Sequence, residues 1–308
     1  MQSYEELKST KSTLAERLAY IDFKLQFTGF VKRAELGDMF NIAEAASSKA
    51  LSEYIERYKS NIEYDASQKV NVISRTTFKP LIDWDAEVAL GMLANGFNKN
   101  KLPNSTDALV PYDKIDKFPN KLSSACVAKV TRAIAGGYAV QCKYLSDNSE
   151  NHDPRTLVPL SIMHDGVTWM FRAYHRGDSK KIYFKNFHFS RMREIVELND
   201  SVEGKRRQEE MLSEDKHWNL KIPLELRLHP NLEPKIKNFI RWDFGMEEDA
   251  NEVMVPIRSS FLWILIRKWL IDDRDEHQKS LDENNKRNRF YKFELLNRET
   301  VEFFKNSI

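Results

Sequence analysis

The chain has 308 residues, 41% of them hydrophobic and 11% aromatic, enough apolar surface for packed cores and too much for a disordered chain. Ten Gly and ten Pro exclude collagen-like and low-complexity classes, and 48 Lys+Arg against 46 Asp+Glu leave a formal net charge of +2, with no overall bias toward a polyanion. The longest uninterrupted apolar run, Phe261–Ile266, is far short of the roughly 20 residues that a bilayer span requires, so no membrane contact is expected.

The length predicts two or three domains. The opening residues, Met1-Gln2-Ser3-Tyr4-Glu5-Glu6, carry early acids and no apolar signal region. Cys126 and Cys142 stand 16 residues apart with no CxxC partner and read as two reduced thiols in or near a core. Both features lead to the expectation of a cytoplasmic protein.

In chain order, residues 12–27 read as a helix, with Leu14, Leu18, Ile21 and Leu25 at helical spacing and Gly29 closing the segment. A shorter helix follows from about Lys32 to Phe40. After a break at Asn41-Ile42-Ala43, a third helix runs from about Glu44 to Tyr58, with Leu51, Tyr54, Ile55 and Tyr58 on one side. The period then changes. Ile62 and Tyr64, then Val70 and Val72, alternate about the polar turn Asp65-Ala66-Ser67-Gln68, which predicts a hairpin. Residues 81–120 form a connector with one helix over about Ala86–Leu93 and a polar, Pro-containing stretch over 98–120. A helix from Leu122 to Ala135 precedes four short strands at Tyr138–Leu145, Thr156–Met163, Thr168–Tyr174 and Lys181–Phe184, a spacing that predicts a small barrel-like β unit. Residues 199–216 are a charged linker. The rest mixes a strand over Leu220–Leu228, a helix after Pro234, a strand near Val253–Val255 and an apolar helix over Ser260–Leu270. Residues 272–292, dense in both charge signs, read as a solvated helix face or a loop.

Three short helices followed by a hairpin is the order of a winged helix-turn-helix, in which the third helix enters the major groove with small or polar side chains forward. The stretch Ala43–Ser52 suits that role: Ser47, Ser48, Lys49 and Ser52 are candidate base-edge residues, and Lys32, Arg33, Arg57, Lys59 and the wing residue Lys69 are candidate phosphate contacts. Residues 10–80 carry 11 basic against 9 acidic residues, which is weak electrostatic support. An Ala-rich packing helix in a small bundle gives the same pattern.

Residues 121–193 are different, with 12 basic against 5 acidic residues, a net of +7. Arg172 and Arg191 have the chemistry to bind phosphate bidentately and Lys185 to act as a point charge, while Tyr144, Trp169 and Tyr174 offer rings for stacking on bases. Aromatics filling a barrel core, with a solvated basic face, are the alternative. Four of the seven histidines fall here (His152, His164, His175, His188), and they read as exposed turn residues because no HExxH or close His pair is present. Asp165 and the triplet Asp178-Ser179-Lys180 carry the elements of a metal-dependent nuclease, a second function class.

The same stretch carries Tyr144-x-Ser146, Arg155-x-x-x-Pro159, Trp169 with Arg172-Ala173-Tyr174, Phe184-Lys185-Asn186-Phe187 and Ser190-Arg191. This resembles the WYL domain of bacterial transcription regulators. Of the three name-giving positions, Trp169, Met170 and Phe171, only the Trp is retained. Phe40-Asn41-Ile42, Ser48, Leu51, Tyr54, Asn61-Ile62-Glu63-Tyr64-Asp65, Lys69 and Phe78-x-Pro80 resemble the winged helix of one WYL subfamily, regulators encoded beside phage-defence systems such as BREX and CBASS. From His217 onward the chain looks like the extension that follows WYL domains. Three departures are Ala43 in place of a capping Ser, Leu160 in place of a His, and Lys185 in place of an Arg.

The resemblance implies an α+β protein: a winged helix-turn-helix over 1–80, a helical connector over 81–120, a WYL domain of Sm/SH3-like barrel type over 121–198 and an α/β extension, with a dimerising role, over 199–308. It implies a homodimeric repressor of a phage-defence operon that binds an inverted-repeat operator on double-stranded DNA. The WYL domain would sense a nucleic acid or nucleotide effector through Tyr144, Ser146, Arg155, Trp169, Arg172, Tyr174, Lys185 and Arg191. No catalysis, cofactor or metal is expected. The alternatives are the nuclease and a nucleic-acid or nucleotide sensor without operator binding.

Overall fold

A computed structural model describes residues 4–10, 14–102, 110, 122–146, 154–177, 183–284 and 290–306. The chain divides into two compact units, residues 1–210 and 211–308.

The first unit begins with α1 (Tyr4–Thr10) and α2 (Ala15–Thr28), which is buried along most of its length. Gly29 stops α2 at φ 86°, where its N–H donates to the carbonyls of Leu25 and Lys24; the left-handed conformation is the reason a glycine serves there. The chain then forms β1 (Phe30–Val31), α3 (Arg33–Phe40), α4 (Glu44–Arg57), and the hairpin β2 (Ile62–Asp65) and β3 (Val70–Ile73). The small sheet has the order β1-β3-β2, all antiparallel. The helices and hairpin lie where periodicity places them. The two-residue β1 has no sequence signal of its own and exists by pairing with β3.

Helix α5 (Ala86–Asn95) is capped by Asp85, whose side chain accepts from the N–H groups of Glu87 and Val88. Helix α6 (Ser124–Gly136) lies against a five-stranded antiparallel sheet made of β4 (Val140–Tyr144), β5 (Arg155–His164), β6 (Trp169–Arg176), β7 (Phe184–His188) and β8 (Met192–Glu197), in the order β7-β6-β5-β4-β8. One continuous hydrophobic core runs from Leu18 and Phe27 of α2 through Val130 of α6 to Leu157, Phe171 and Phe187 of this sheet.

Two strands differ from expectation. The strand expected over 181–184 begins at Phe184 and runs to His188; residues 181 and 182 lie outside the described residues. Strand β8 was not anticipated. Glu194 adopts φ 51°, and the β4–β8 register shifts between Gln141 and Lys143, so the two-residue alternation that marks a strand is broken in sequence. Among the described residues β7 and β8 are not paired with each other, so the sheet is open in its pairing.

The second unit holds α7 (Lys216–Asn219), β9 (Lys221–Leu228), α8 (Pro234–Asp243), β10 (Glu252–Arg258), α9 (Leu262–Lys268), β11 (Ile271–Asp272), α10 (Glu276–Asn284), β12 (Phe293–Leu295) and α11 (Arg298–Asn306). Its sheet has the order β10-β9-β12-β11. The alternation of β9 is explicit: Ile222, Leu224, Leu226 and Leu228 are buried. Leu262 of the apolar helix joins this unit's own core, and Leu265 and Trp269 pack against it, so these residues are not a free apolar face; Phe239, Trp242, Met254 and Trp263 are exposed instead. The run over 272–292 is not wholly solvated either. Asp272 is buried, accepts from Nε and Nη2 of Arg274, and lies 3.4 Å from Nε2 of His229.

Candidate DNA-reading and sensing surfaces

Helices α3 and α4 pack closely at Gly37: a Cβ there would lie 3.7 Å from Oγ of Ser47 and 3.5 Å from the carbonyl oxygen of Ile42. Ser47 is buried at this contact, so it does not point forward as sequence spacing proposed. The outward stripe of α4 consists of Ala45, Lys49, Ser52 and Glu56, at three- and four-residue intervals, all exposed. Ser48 is half-buried beside it, its Oγ 3.4 Å from Nη1 of Arg33. Arg33 also pairs with Glu44 at the start of α4, and Arg57 pairs with Glu53 within it. Lys32 is the N-cap residue of α3, and its backbone N–H donates to Glu35.

The wing is set by its turn. Oδ1 of Asp65 accepts from the N–H and Oγ of Ser67 and from the N–H of Gln68, bonds that hold this exposed carboxyl below its ordinary range. Lys69 follows at φ 55°, exposed at the wing tip. At the other end of α4, Ala43 has the extended backbone of an N-cap residue and no side-chain acceptor. Ala43→Ser supplies that acceptor, so it should stabilise the chain by about 1 kcal/mol, read as a raised thermal midpoint.

A buried polar brace fixes α4 from behind. Oδ1 of Asp22 on α2 accepts from the Tyr54 hydroxyl at 2.8 Å, and Oδ2 accepts from the N–H of Leu81 at 3.1 Å. Nδ2 of Asn61 donates to the Tyr54 hydroxyl and to the Lys79 carbonyl, while its Oδ1 accepts from the Lys79 N–H. Helix α4, the wing and the strap after the wing are therefore tied to α2 through one carboxylate.

In the five-stranded sheet, register decides which residues share a face. Arg172 is opposite Asn186 and Tyr174 opposite Phe184, whereas Lys185 is opposite Ala173 and Phe187 opposite Phe171. Lys185 therefore stands on the opposite face from Arg172 and Tyr174, and the structure does not bring these three together. The cause is the β6–β7 register, which sets Lys185 across from Ala173. Arg172 is buried and donates from Nη1 to Oδ1 of Asn186. The Tyr174 ring stacks on Tyr183 at 5.2 Å.

A second cluster forms around Tyr144. Its ring meets Phe187 edge-on at 5.0 Å, the Arg155 guanidinium lies 5.3 Å from its centroid, and its hydroxyl accepts from the His188 N–H at 3.1 Å. Arg191 hydrogen-bonds the same phenol. Burial raises the Tyr144 pKa against these contacts. Burial and then the charge of Arg191 hold His188 below its ordinary value, which favours the neutral imidazole. Trp169 is half-buried against the core, its ring 4.5 Å from His164, and Ser146 is half-buried just beyond β4.

Not all the histidines are exposed turn residues. His164 is exposed, but His175 and His188 are half-buried in strands; His152 lies outside the described residues. Asp165 is committed to its own turn, where it accepts from Val167 and Thr168. The triplet Asp178-Ser179-Lys180 lies outside the described residues, and among those described no three His, Cys, Asp or Glu side chains gather as metal ligands. Both cysteines are free thiols, Cys142 buried.

Sequence reasoning missed three positions that organise this unit. Arg176 donates to both carboxylate oxygens of Glu210 and to the carbonyls of Glu203 and Lys205, so the charged segment over 203–210 is clasped to the sheet. Glu197 gathers Arg75, Arg132 and Tyr138. Asn186 holds Arg172. The Arg176 and Glu197 contacts are long-range and have no local motif; Asn186 sits in the motif Phe184-Lys185-Asn186-Phe187, but its partner lies on the neighbouring strand.

With this geometry in place, the comparisons are decisive. Residues 13–95 match the BrxR transcriptional regulator winged helix-turn-helix domain, residues 125–197 match the WYL domain, and residues 221–300 match the BrxR transcriptional regulator C-terminal dimerization domain. The chain is a winged helix-turn-helix regulator of the WYL family. Similar curated proteins are each named DNA-binding transcriptional repressor CapW. The Escherichia coli protein is 28% identical over 85% of this chain and 84% of its own length. The Pseudomonas aeruginosa protein is 26% identical over 85% of each chain, and that of Stenotrophomonas maltophilia 25% identical over 82% and 81%. In this WYL regulator no helix of the described residues is long and apolar enough to cross a membrane.

Proposed function

We propose that two copies of this chain, joined through their C-terminal domains, repress transcription of a phage-defence operon by seating two winged helices on an inverted-repeat operator. The observation that carries this reading is the exposed pair Lys49 and Ser52 of α4 beside an ordered wing with Lys69 at its tip, on a chain whose relatives are named repressors. Small side chains along α4 permit close approach to base edges, and the flanking cations supply phosphate contacts. The role is regulatory, not catalytic.

The central sheet is the sensor in this reading. Register shifts between Gln141 and Lys143 and between Pro159 and Ser161 support a curved sheet, the feature that a reading as an Sm/SH3-like unit needs. Arg155 and Arg191 about Tyr144 form one candidate anion cradle, and Arg172 with Tyr174 form another, both suited to a nucleotide or nucleic acid effector. Ligation there shifts the population toward a dimer whose half-site spacing no longer fits.

A gel shift with the DNA upstream of the protein's own gene tests the operator reading. Sequence-specific, salt-sensitive binding is expected. The double variant Lys49→Ala and Lys69→Ala should weaken it at least about tenfold, and loss of the Lys69 phosphate contact should reduce the log–log salt slope by about one. Unchanged affinity in that variant would overturn the assignment of α4 and the wing.

A further inference from the structure

The sensor sheet and the winged helix share more than apolar packing. Glu197, the last residue of β8, is almost enclosed, and three donors converge on it. Its Oε1 accepts from Nη1 of Arg75 at 2.5 Å, from Nε of Arg132 at 3.0 Å and from the hydroxyl of Tyr138 at 2.7 Å; its Oε2 accepts from Nη2 of Arg132 at 2.5 Å. The remaining Arg132 nitrogen, Nη1, donates to the carbonyl of Gln26 near the end of α2. Arg75 is two residues beyond β3 and so directly continues the wing. Its guanidinium also lies over the Tyr138 ring, 5.3 Å from the centroid.

The backbone beside this cluster is equally constrained. The Gly29 carbonyl accepts from the Ile73 N–H, and a Cβ on Gly29 would come within 3.6 Å of Arg75 Nη2 and 3.5 Å of Arg132 Cδ. Both arginines thus fill the space beside the turn from which the wing sheet departs. The joint uses both carboxylate oxygens, so a shift of β8 along its axis cannot keep every bond.

We propose that Glu197 is the positioning residue through which the sensor sheet sets the wing, with Arg75 as its handle on the DNA-reading side and Arg132 as its fixed anchor. Glu197 and Arg75 lie outside the candidate DNA-reading residues of α4 and the wing tip. This rests on the reading of α4 and the wing as the DNA-binding surface. Coupling between two sites is reciprocal, so DNA held by the wing must be felt at β8 as surely as a ligand on the sheet is felt at the wing. The unidentified effector is therefore not needed to test the joint.

The experiment is amide hydrogen exchange on the full chain with and without the upstream DNA fragment, followed at residues 62–73 and 192–197. In the unaltered protein DNA should slow exchange in both segments, by about fivefold or more at β8. In Arg75→Ala, which leaves the Glu197–Arg132 pair intact, the slowing should persist at 62–73 and disappear at 192–197, and Arg75→Lys should restore part of it. A β8 response retained in Arg75→Ala overturns the proposal. So does a β8 segment that ignores DNA in the unaltered protein while the wing responds. A wing that does not respond to DNA at all overturns the operator reading itself, and the joint with it. Arg75→Gln provides the same test if the alanine variant does not fold.

Discussion

Glu197→Ala will destabilise the unit of residues 1–210 by about 3–5 kcal/mol, the usual cost of removing one partner from a buried ion pair. Arg132 is only 8% exposed, with its Nε and Nη2 both committed to this carboxylate. Without Glu197 its charge stays in the core beside Arg75, a like charge, and the buried Tyr138 hydroxyl loses its acceptor. Glu197→Gln keeps the shape and one acceptor oxygen and should cost less. The check is the denaturant midpoint of the full chain, with hydrogen exchange in α6 reporting which unit opens. A loss under about 1 kcal/mol in the alanine variant would show that the pair contributes nothing beyond its own desolvation. The acid limb carries a second signature. Burial pulls the Glu197 pKa up, but the hydrogen bonds from Arg132 and Tyr138 and the charges of Arg132 and Arg75 outweigh it and hold the carboxyl below its ordinary value of 4.5. A depressed carboxyl contributes stability that is present above its unfolded value and is lost as pH falls toward the folded one. Stability should therefore fall less steeply below pH 4.5 in the glutamine variant than in the parent.

How much of this was legible in the sequence depends on how local its causes are. Helices α2 to α6 and the wing hairpin were readable because each writes its own period and its own stop, such as Gly29 after α2. Strand β8 was not, because Glu194 leaves the extended region and takes the alternation with it. The same limit applies to the candidate surfaces. Composition placed Ser47, Ser48, Lys49 and Ser52 on one short helix, but only the close approach of Gly37 shows that Ser47 faces inward. Lys185 was grouped with Arg172 by residue type, and a register that pairs Lys185 with Ala173 puts them on opposite faces. Glu197 and Arg75 stand 122 residues apart, and no spacing rule could join them. A net charge of +2 likewise hid a middle segment of +7, whose guanidiniums the fold deploys partly on aromatics and partly on its own carboxylates.

Tyr54→Phe will destabilise the winged helix by about 2–3 kcal/mol at pH 8 and by only about 1 kcal/mol at pH 5, because it removes a hydrogen bond from a carboxyl whose charge state changes between those values. Asp22 is fully buried, and burial pushes its pKa up to about 6, against the opposing hydrogen bonds from Tyr54, Leu81 and Ile82. The folded value lies above the unfolded 3.8, so the folded chain holds the extra proton between the two. Stability therefore declines as pH rises through that window, by up to about 3 kcal/mol for this group, and is level above it. Without the Tyr54 donor the charged form is less stabilised and the Asp22 value rises further, which is why the cost is largest where the carboxylate must be ionised. Asp22→Asn gives the complementary result. It has no charge to titrate, so the decline between pH 4 and pH 7 should flatten, while its amide sets an N–H donor against either the Tyr54 hydroxyl or the Leu81 N–H. Unfolding curves at pH 5 and pH 8 for the three proteins decide the matter. A Tyr54→Phe cost that is equal at both pH values would mean that Asp22 does not change its protonation between them. Because Tyr54 lies on α4 and Asn61 just ahead of β2, loosening this brace should also weaken operator binding more at pH 8 than at pH 5, without changing the salt slope that the exposed lysines set.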